Sequence, residues 1–246
     1  MQTVLITGSS SGFGLETARH FLNQGWRVIA SMRTPQTDLF PPSDRLKLVA
    51  LDVTDPASIA RALDEAGPID VLVNNAGIGM FNALEGTPIE TARDIFETNT
   101  LGTMAVTQAV LPQFRERKAG VIINVTSTVT LRPLPLLSVY TASKAAVNAF
   151  TASLAHELEP FGIRAVVVLP GRAPTTRFGE NARARIGEFP APYAGYAAKI
   201  FEGLRDATTP TTSPEAVAEA IWRAATDPAC PPRIPAGEDA ELWFNA

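Results

Sequence analysis

Thr3-Val-Leu-Ile-Thr7-Gly8-Ser-Ser-Ser-Gly12-Phe-Gly14 is a short apolar, β-branched run that breaks into a glycine-rich turn. Residues Thr3–Thr7 read as a strand buried on both faces. Leu15, Ala18, Phe21 and Leu22 then recur at helical spacing, so the glycines stand between a strand and a helix. Glycine permits the tight backbone angles of such a turn and lets a phosphate approach the helix N-terminus. The spacing is G-x-x-x-G-x-G, not the commoner dinucleotide fingerprint G-x-G-x-x-G.

Outward from this turn, strands and helices alternate. Gly25 ends the first helix, and Arg27–Ser31 reads as a second strand. Arg33 stands just past it with no carboxylate beside it in the chain. A cation there accepts a ribose 2′-phosphate, whereas an acid would bond the 2′-hydroxyl, so Arg33 favours NADP over NAD. Ser10 can add a hydroxyl contact. Pro35, Pro41 and Pro42 make a loop, followed by strand Leu46–Leu51 and helix Pro56–Glu65. Asp52 is either a ligand contact at a strand end or a cap in the Asp-Val-Thr-Asp turn. Asp70–Val73 is a fourth strand, running into Asn74-Asn75-Ala76-Gly77, where the amides can tie strands together and Ala-Gly leaves room for a flat ligand. Pro88–Arg115 reads as one long helix, interrupted by Asn99, whose residue type more often faces solvent there.

Val121–Val125 is a fifth strand ending at Thr126-Ser127-Thr128, and Arg164–Leu169 a sixth ending at Pro170-Gly171. Between them a helix carries Tyr140 and Lys144, which share one face at i, i+4. An ammonium beside a phenol favours the phenolate, each pKa unit being worth about 1.4 kcal/mol. A hydroxyl such as Ser127 can hold the oxygen whose proton the phenol gives or takes. Strands alternating with helices in this way predict an α/β, doubly wound parallel sheet, in which ligands bind beyond the strands' carboxyl ends. Gly8, Asp52, Asn74, Ser127 and Pro170 all fall at such ends.

Eleven of the twenty prolines lie from Pro160 onward, so the last third predicts broken elements and not a second regular domain. Phe178, Ile186, Phe189, Tyr193, Tyr196, Ile200 and Phe201 fall there without clean periodicity. The stretch 172–212 is either a lid over an apolar ligand or part of the core. Pro214–Thr226 reads as a last helix and Arg233–Pro235 as a short strand. Composition points to one globular domain over 1–246: 46% hydrophobic and 19% charged residues, with a net charge of −4. Without a basic cluster, a nucleic-acid surface is not expected. The lone Cys230 cannot form an internal disulfide, and His20 and His156 stand apart, so no metal-ligand spacing exists. The N-terminus lacks the pattern of a signal peptide, and no apolar run reaches membrane-spanning length, which predicts a soluble cytoplasmic protein.

Taken together, Thr7-Gly8-x-x-x-Gly12-x-Gly14, Asn74-Asn75-Ala76-Gly77, Ser127, Tyr140-x-x-x-Lys144 and Pro170-Gly171 resemble the short-chain dehydrogenase/reductase family over about residues 1–235. The resemblance implies a Rossmann-type sheet of order 3-2-1-4-5-6-7 with helices on both faces. It implies Tyr140 as general acid/base, Ser127 as support for the substrate oxygen, and Lys144 as holder of the nicotinamide ribose. Asn99 would keep a water in the proton relay. Gly8, Ser10, Ser11, Gly12, Phe13 and Gly14 would line the cofactor phosphates, Asp52 and Val53 the adenine, and Asn74, Ala76 and Gly77 the riboses. Pro170, Gly171 and Thr175 would meet the nicotinamide. The Ser-Met-Arg33 ending of strand two looks like NADP-preferring members. Two departures stand out: Thr126 replaces a second serine, followed by β-branched Thr128-Val129-Thr130, and 236–246 lacks the family's glycine-rich closing motif.

The resulting expectation is an NADP(H)-dependent oxidoreductase acting on an apolar ketone or secondary alcohol, as a homodimer or homotetramer. The rivals are a nucleotide-sugar epimerase or dehydratase, whose relatives look longer, an enoyl reductase, whose Tyr/Lys spacing differs, and a non-catalytic NADP(H)-binding regulator or redox sensor.

Overall fold

A computed structural model of the chain describes residues 1–176, 182, 189–204 and 208–245. Seven strands, β1 (Thr3–Ile6), β2 (Arg27–Met32), β3 (Leu46–Ala50), β4 (Val71–Asn74), β5 (Gly120–Val125), β6 (Ile163–Pro170) and β7 (Arg233–Ala236), form one sheet. Its order is β3-β2-β1-β4-β5-β6-β7, as expected, and every pairing is parallel. The strands read as apolar runs because both faces are covered. Val4 and Ile6 pack with Phe21 and Ile221 on one face, while Leu5 joins Ile29, Leu72, Ile122 and Phe114 on the other. Helices α1 (Gly12–Asn23) and a C-terminal helix (Pro214–Thr226) cover the first face, locked by Phe21, Trp26 and Trp222 in edge-to-face contact. Pro235 is tolerated within β7 because that strand is at the sheet's edge.

On the second face lie α2 (Pro56–Ala66), α3 (Ile89–Phe96), α4 (Gly102–Arg117) and α5 (Ser138–Leu158). The expected single helix over 88–115 differs in one respect: Glu97–Leu101 is a π-helical turn between α3 and α4. One residue more per turn rotates α4 relative to α3, and the turn carries Asn99 inward to 1% exposure, away from the solvent its residue type suggested. Two further differences concern the end of the chain. Ala194–Leu204 forms α6, the Pro214–Thr226 helix is α7, and an unexpected short helix, α8, runs over Glu238–Phe244. Leu136, just before α5, holds a left-handed backbone (φ 63) while its side chain is buried. Phe178 and Ile186, singled out above, lie outside the described residues. Among the described residues, no helix is long and apolar enough to cross a membrane.

Candidate active site

Ser127 lies one residue past the end of β5, after Thr126, and caps a single 3-10 turn, Thr128–Thr130, its Oγ accepting from the Val129 N–H at 3.3 Å. Tyr140 and Lys144 project from the first turns of α5, both buried, and Tyr140 is hydrogen-bonded to Ser127. The Lys144 ammonium donates to the Val125 carbonyl at 3.0 Å, which anchors it beside the strand that delivers Ser127. Asn99 is held completely: its Oδ1 accepts from Ile78 N, and its Nδ2 donates to Ile78 O and to Ser143 Oγ. Ser143 Oγ in turn donates to the Tyr140 carbonyl at 2.8 Å. Gly77 fits between the two sets, since a side-chain carbon there would lie 3.1 Å from Asn99 Oδ1 and 3.3 Å from Lys144 Nζ.

The electrostatics correct one expectation. Spacing alone suggested an ammonium lowering the phenol, but burial pushes the Tyr140 phenol up, against a smaller lowering by the Ser127 hydrogen bond. The same burial pushes Lys144 down to about 8. Tyr140 is thus a protonated donor at neutral pH.

The glycine loop is packed against the Asn-Asn-Ala-Gly turn. A side chain on Gly8 (φ 71) would come within 2.8 Å of Ala76 Cα, and one on Gly14 within 2.4 Å of Asn75 Nδ2 and Gly8 O. Asn75 Nδ2 donates to the carbonyls of Thr7 and Gly8, while Thr7 Oγ1 accepts from the N–H groups of Asn75 and Ala76. Asn74 turns its amide into the sheet, to Asn124 and Thr107, leaving only its backbone at the strand end. Ser11 occupies the N-cap of α1 without a side-chain capping bond, and the first turn carries no acid. Ser10 and Phe13 are half-buried beside it, Phe13 against the core. Gly12 (φ 54) faces Thr176, whose Cβ would be 3.4 Å from a side-chain carbon there. Thr175 is exposed.

Past the carboxyl end of β2, Arg33 is exposed and near enough to Asp52 to help lower its pKa. The larger causes are the bonds Asp52 accepts from Thr54 N and Oγ1. The capping residue of α2 is Asp55, accepting from Ala57 N, so Asp52 belongs to the preceding turn. Val53 is buried beneath Gly102, and Pro170 ends β6 opposite Ala236. Around the phenol the wall is apolar: Tyr140 packs with Val129 and Leu137, and Phe81 and Leu134 join them. A cavity of about 180 Å³ lies between Phe81, Leu134, Pro135, Leu137 and the α6 residues Ile200, Gly203 and Leu204.

The short chain dehydrogenase family model matches residues 2–186. The chain belongs to this family. The Bacillus subtilis oxidoreductase YusZ is 37% identical over 236 residues, covering 90% of this chain and 84% of the relative. A 3-ketodihydrosphingosine reductase of Bacteroides thetaiotaomicron is 35% identical over 208 residues, covering 83% and 75%. Among solved structures, the closed form of a serine dehydrogenase complexed with NADP+ aligns with a TM-score of 0.83 at 31% identity, covering 97% of this chain and 95% of that one. As a short-chain dehydrogenase the protein is an oxidoreductase acting on CH–OH or C=O groups with a nicotinamide cofactor.

Several residues of this short-chain dehydrogenase escaped sequence reasoning. Ser143, fully buried and three positions past Tyr140, had a signal in its spacing, since i and i+3 share a helix face. Thr130 and Asn148 form a second support: Asn148 Nδ2 donates to Thr130 Oγ1 at 2.8 Å, and that hydroxyl donates to Ser127 O at 2.7 Å. The β-branched run that departed from the family pattern therefore braces Ser127. Asn75 was quoted only within its motif, and Thr176 carried no signal at all.

Proposed function

We propose that the protein is an NADP(H)-dependent reductase of apolar ketones, oxidising the corresponding secondary alcohols in reverse. The observation that carries this is the buried Tyr140 phenol, hydrogen-bonded to Ser127 and walled by Val129, Leu137, Phe81 and Leu134. A proton donor in that setting suits an uncharged, lipophilic carbonyl compound, because a charged one would be desolvated without a partner. The keto substrate named for the Bacteroides relative supports the reading.

The residues present fit a dinucleotide. The first-turn N–H groups of α1 are left without a side-chain cap, the arrangement that receives a phosphate, and Gly8 and Gly14 keep the loop flat where side chains would collide. Arg33, exposed at the end of β2, supports a 2′-phosphate. When bound, the nicotinamide supplies the hydride to the carbonyl carbon or takes it back. Tyr140 gives its phenolic proton to the substrate oxygen, and Ser127 donates a hydrogen bond to the same atom, so both stabilise the developing alkoxide. Lys144, fixed to Val125 O, holds the nicotinamide ribose and replenishes the proton through the relay that Asn99 shapes. Asp52, Val53, Asn74, Ala76, Gly77, Pro170, Gly171 and Thr175 complete the cofactor groove in this reading. The same reading extends to one domain over 1–246 and to a homodimer or homotetramer. A non-catalytic regulator has no support, since the relatives described above are oxidoreductases.

The test is NADPH and NADH oxidation across a panel of ketones, repeated with the alcohols. The Tyr140→Phe variant should lose at least about 10²-fold in turnover while binding NADPH as the parent does. A Phe variant turning over near the parent rate would remove Tyr140 from the role given to it.

A further inference from the structure

Two glycines at the carboxyl end of β6 and β7 are packed against oxygen atoms. A side-chain carbon on Gly171 would sit 2.2 and 2.3 Å from the two carboxylate oxygens of Asp239. One on Gly237 (φ 104) would sit 2.1 Å from Thr212 Oγ1. Asp239, in the first turn of α8, is only 5% exposed, and a carboxylate so deep needs donors. It finds them in the Arg172 N–H, which donates to Oδ2 at 2.6 Å, and in the Thr212 hydroxyl, 2.7 Å from Oδ1. Thr212 Oγ1 also accepts from the Gly171 N–H at 3.0 Å, and the Thr212 N–H donates to Arg172 O at 2.7 Å. The Arg172 guanidinium donates to the carbonyls of Leu204 and Thr209. Both ends of the stretch 172–212 are therefore drawn together over one buried carboxylate.

The clasp lies where position matters. After Pro170, the last residue of β6, Gly171 leaves the sheet beside β5, whose end leads through Thr126 to Ser127, and the chain then runs to Thr176, over Gly12. We propose that Asp239, acting through Thr212, is a positioning residue that fixes the Pro170–Arg172 turn and so seats the nicotinamide half of the cofactor. Asn in its place can keep the Arg172 N–H bond, but its NH₂ then faces the Thr212 hydroxyl, which must give its proton to Ala236 O at 2.9 Å, and the charge that strengthens both bonds is lost.

This rests on the dinucleotide reading above, and the experiment separates the two. Binding of NADPH and of 2′-phospho-ADP-ribose, which lacks the nicotinamide, is measured by titration calorimetry for the parent, Asp239→Asn, Thr212→Val and Thr212→Ser. Asp239→Asn and Thr212→Val should each bind NADPH about tenfold more weakly while 2′-phospho-ADP-ribose stays within about twofold; Thr212→Ser, which keeps the hydroxyl, should match the parent. If Asp239→Asn does not fold, the Thr212 pair decides alone. NADPH affinity unchanged, or both probes weakened alike, would overturn the proposal. A parent that binds neither probe would remove the 2′-phosphate reading alone, and the same variants titrated with NADH and ADP-ribose would then decide the inference by the same two criteria.

Discussion

Replacing Lys144 with methionine should make the protein more stable at neutral pH while disabling its site. Burial moves the Lys144 pKa from its ordinary 10.5 to about 8, because the charged form is poorly solvated at 6% exposure. That displacement corresponds to a penalty on the order of 3 kcal/mol on the folded, charged form. Methionine keeps most of the stem's packing but loses the charged hydrogen bond to Val125 O, worth about 2 kcal/mol while the ammonium carries its proton. The variant should therefore gain roughly 1 kcal/mol at pH 7, about 2–4 °C in Tm for a chain of this size. The dependence on pH has a definite sign. Below about 8 both folded and unfolded parent carry the proton, and the penalty is constant. Between about 8 and 10.5 the unfolded chain binds more protons, so the parent's stability rises with pH. Near pH 11, above both values, the penalty is gone and only the lost hydrogen bond remains, which leaves the variant about 1 kcal/mol less stable. Tyr140 titrates in both proteins and cancels in the difference. Urea unfolding of parent and variant at pH 7, 9 and 11 measures the crossing. A stability difference constant across that range, or a variant already weaker at pH 7, would refute the assignment of a desolvated lysine.

Arg33→Asp should raise the Kd for NADPH far more than that for NADH, and equal changes by fluorescence titration would count against a 2′-phosphate contact. Thr130→Val removes the hydroxyl between Asn148 and Ser127 and should cost about 1–2 kcal/mol of stability with a fall in kcat. Thr130→Ser should restore both, and a Val variant with full activity would show that Ser127 needs no such brace. Gly14→Ala forces a methyl group within 2.4 Å of the Gly8 carbonyl and of Asn75 Nδ2, so thermal unfolding should show a loss of roughly 3 kcal/mol, with dinucleotide binding impaired.

The sheet was legible because its first six strands are short, largely apolar runs, several of which lead into turn-forming residues such as Gly8, Asn75 and Gly171. Parallel strands covered on both faces leave that signature, and their alternation with helices leaves few topologies. Less was visible where an element is short or out of phase. Glu238–Phe244 has seven residues with acids in its first turn, too few turns to show a helical period. The π turn at Glu97–Leu101 shifts the apolar phase between Ile95 and Val106, and no local propensity announces that slip. Of the candidate site, the structure brings Ser127, Tyr140, Lys144 and Asn99 to one place, and the glycine loop to the Asn74–Gly77 turn. Spacing could not reveal how deeply the phenol is buried, hence the wrong direction expected for its pKa. Nor could it reveal a clasp whose parts stand at 171, 212 and 239, since only the folded chain makes them neighbours.

Leu136 places two demands on one residue. Its left-handed backbone is uncomfortable for a branched side chain, at a cost of order 1 kcal/mol or more. Its side chain, packed with Ala83 and Ala197, joins the cluster beneath α6 that includes Phe189, Ile200 and Phe201. Glycine would relieve the backbone and take away the apolar floor on which that helix rests. Deleting a buried leucine costs about 2–5 kcal/mol, more than the backbone strain a glycine would relieve, so packing wins at this position. The turn before α5 thus keeps an awkward backbone because the residue that suffers it is the one that anchors α6.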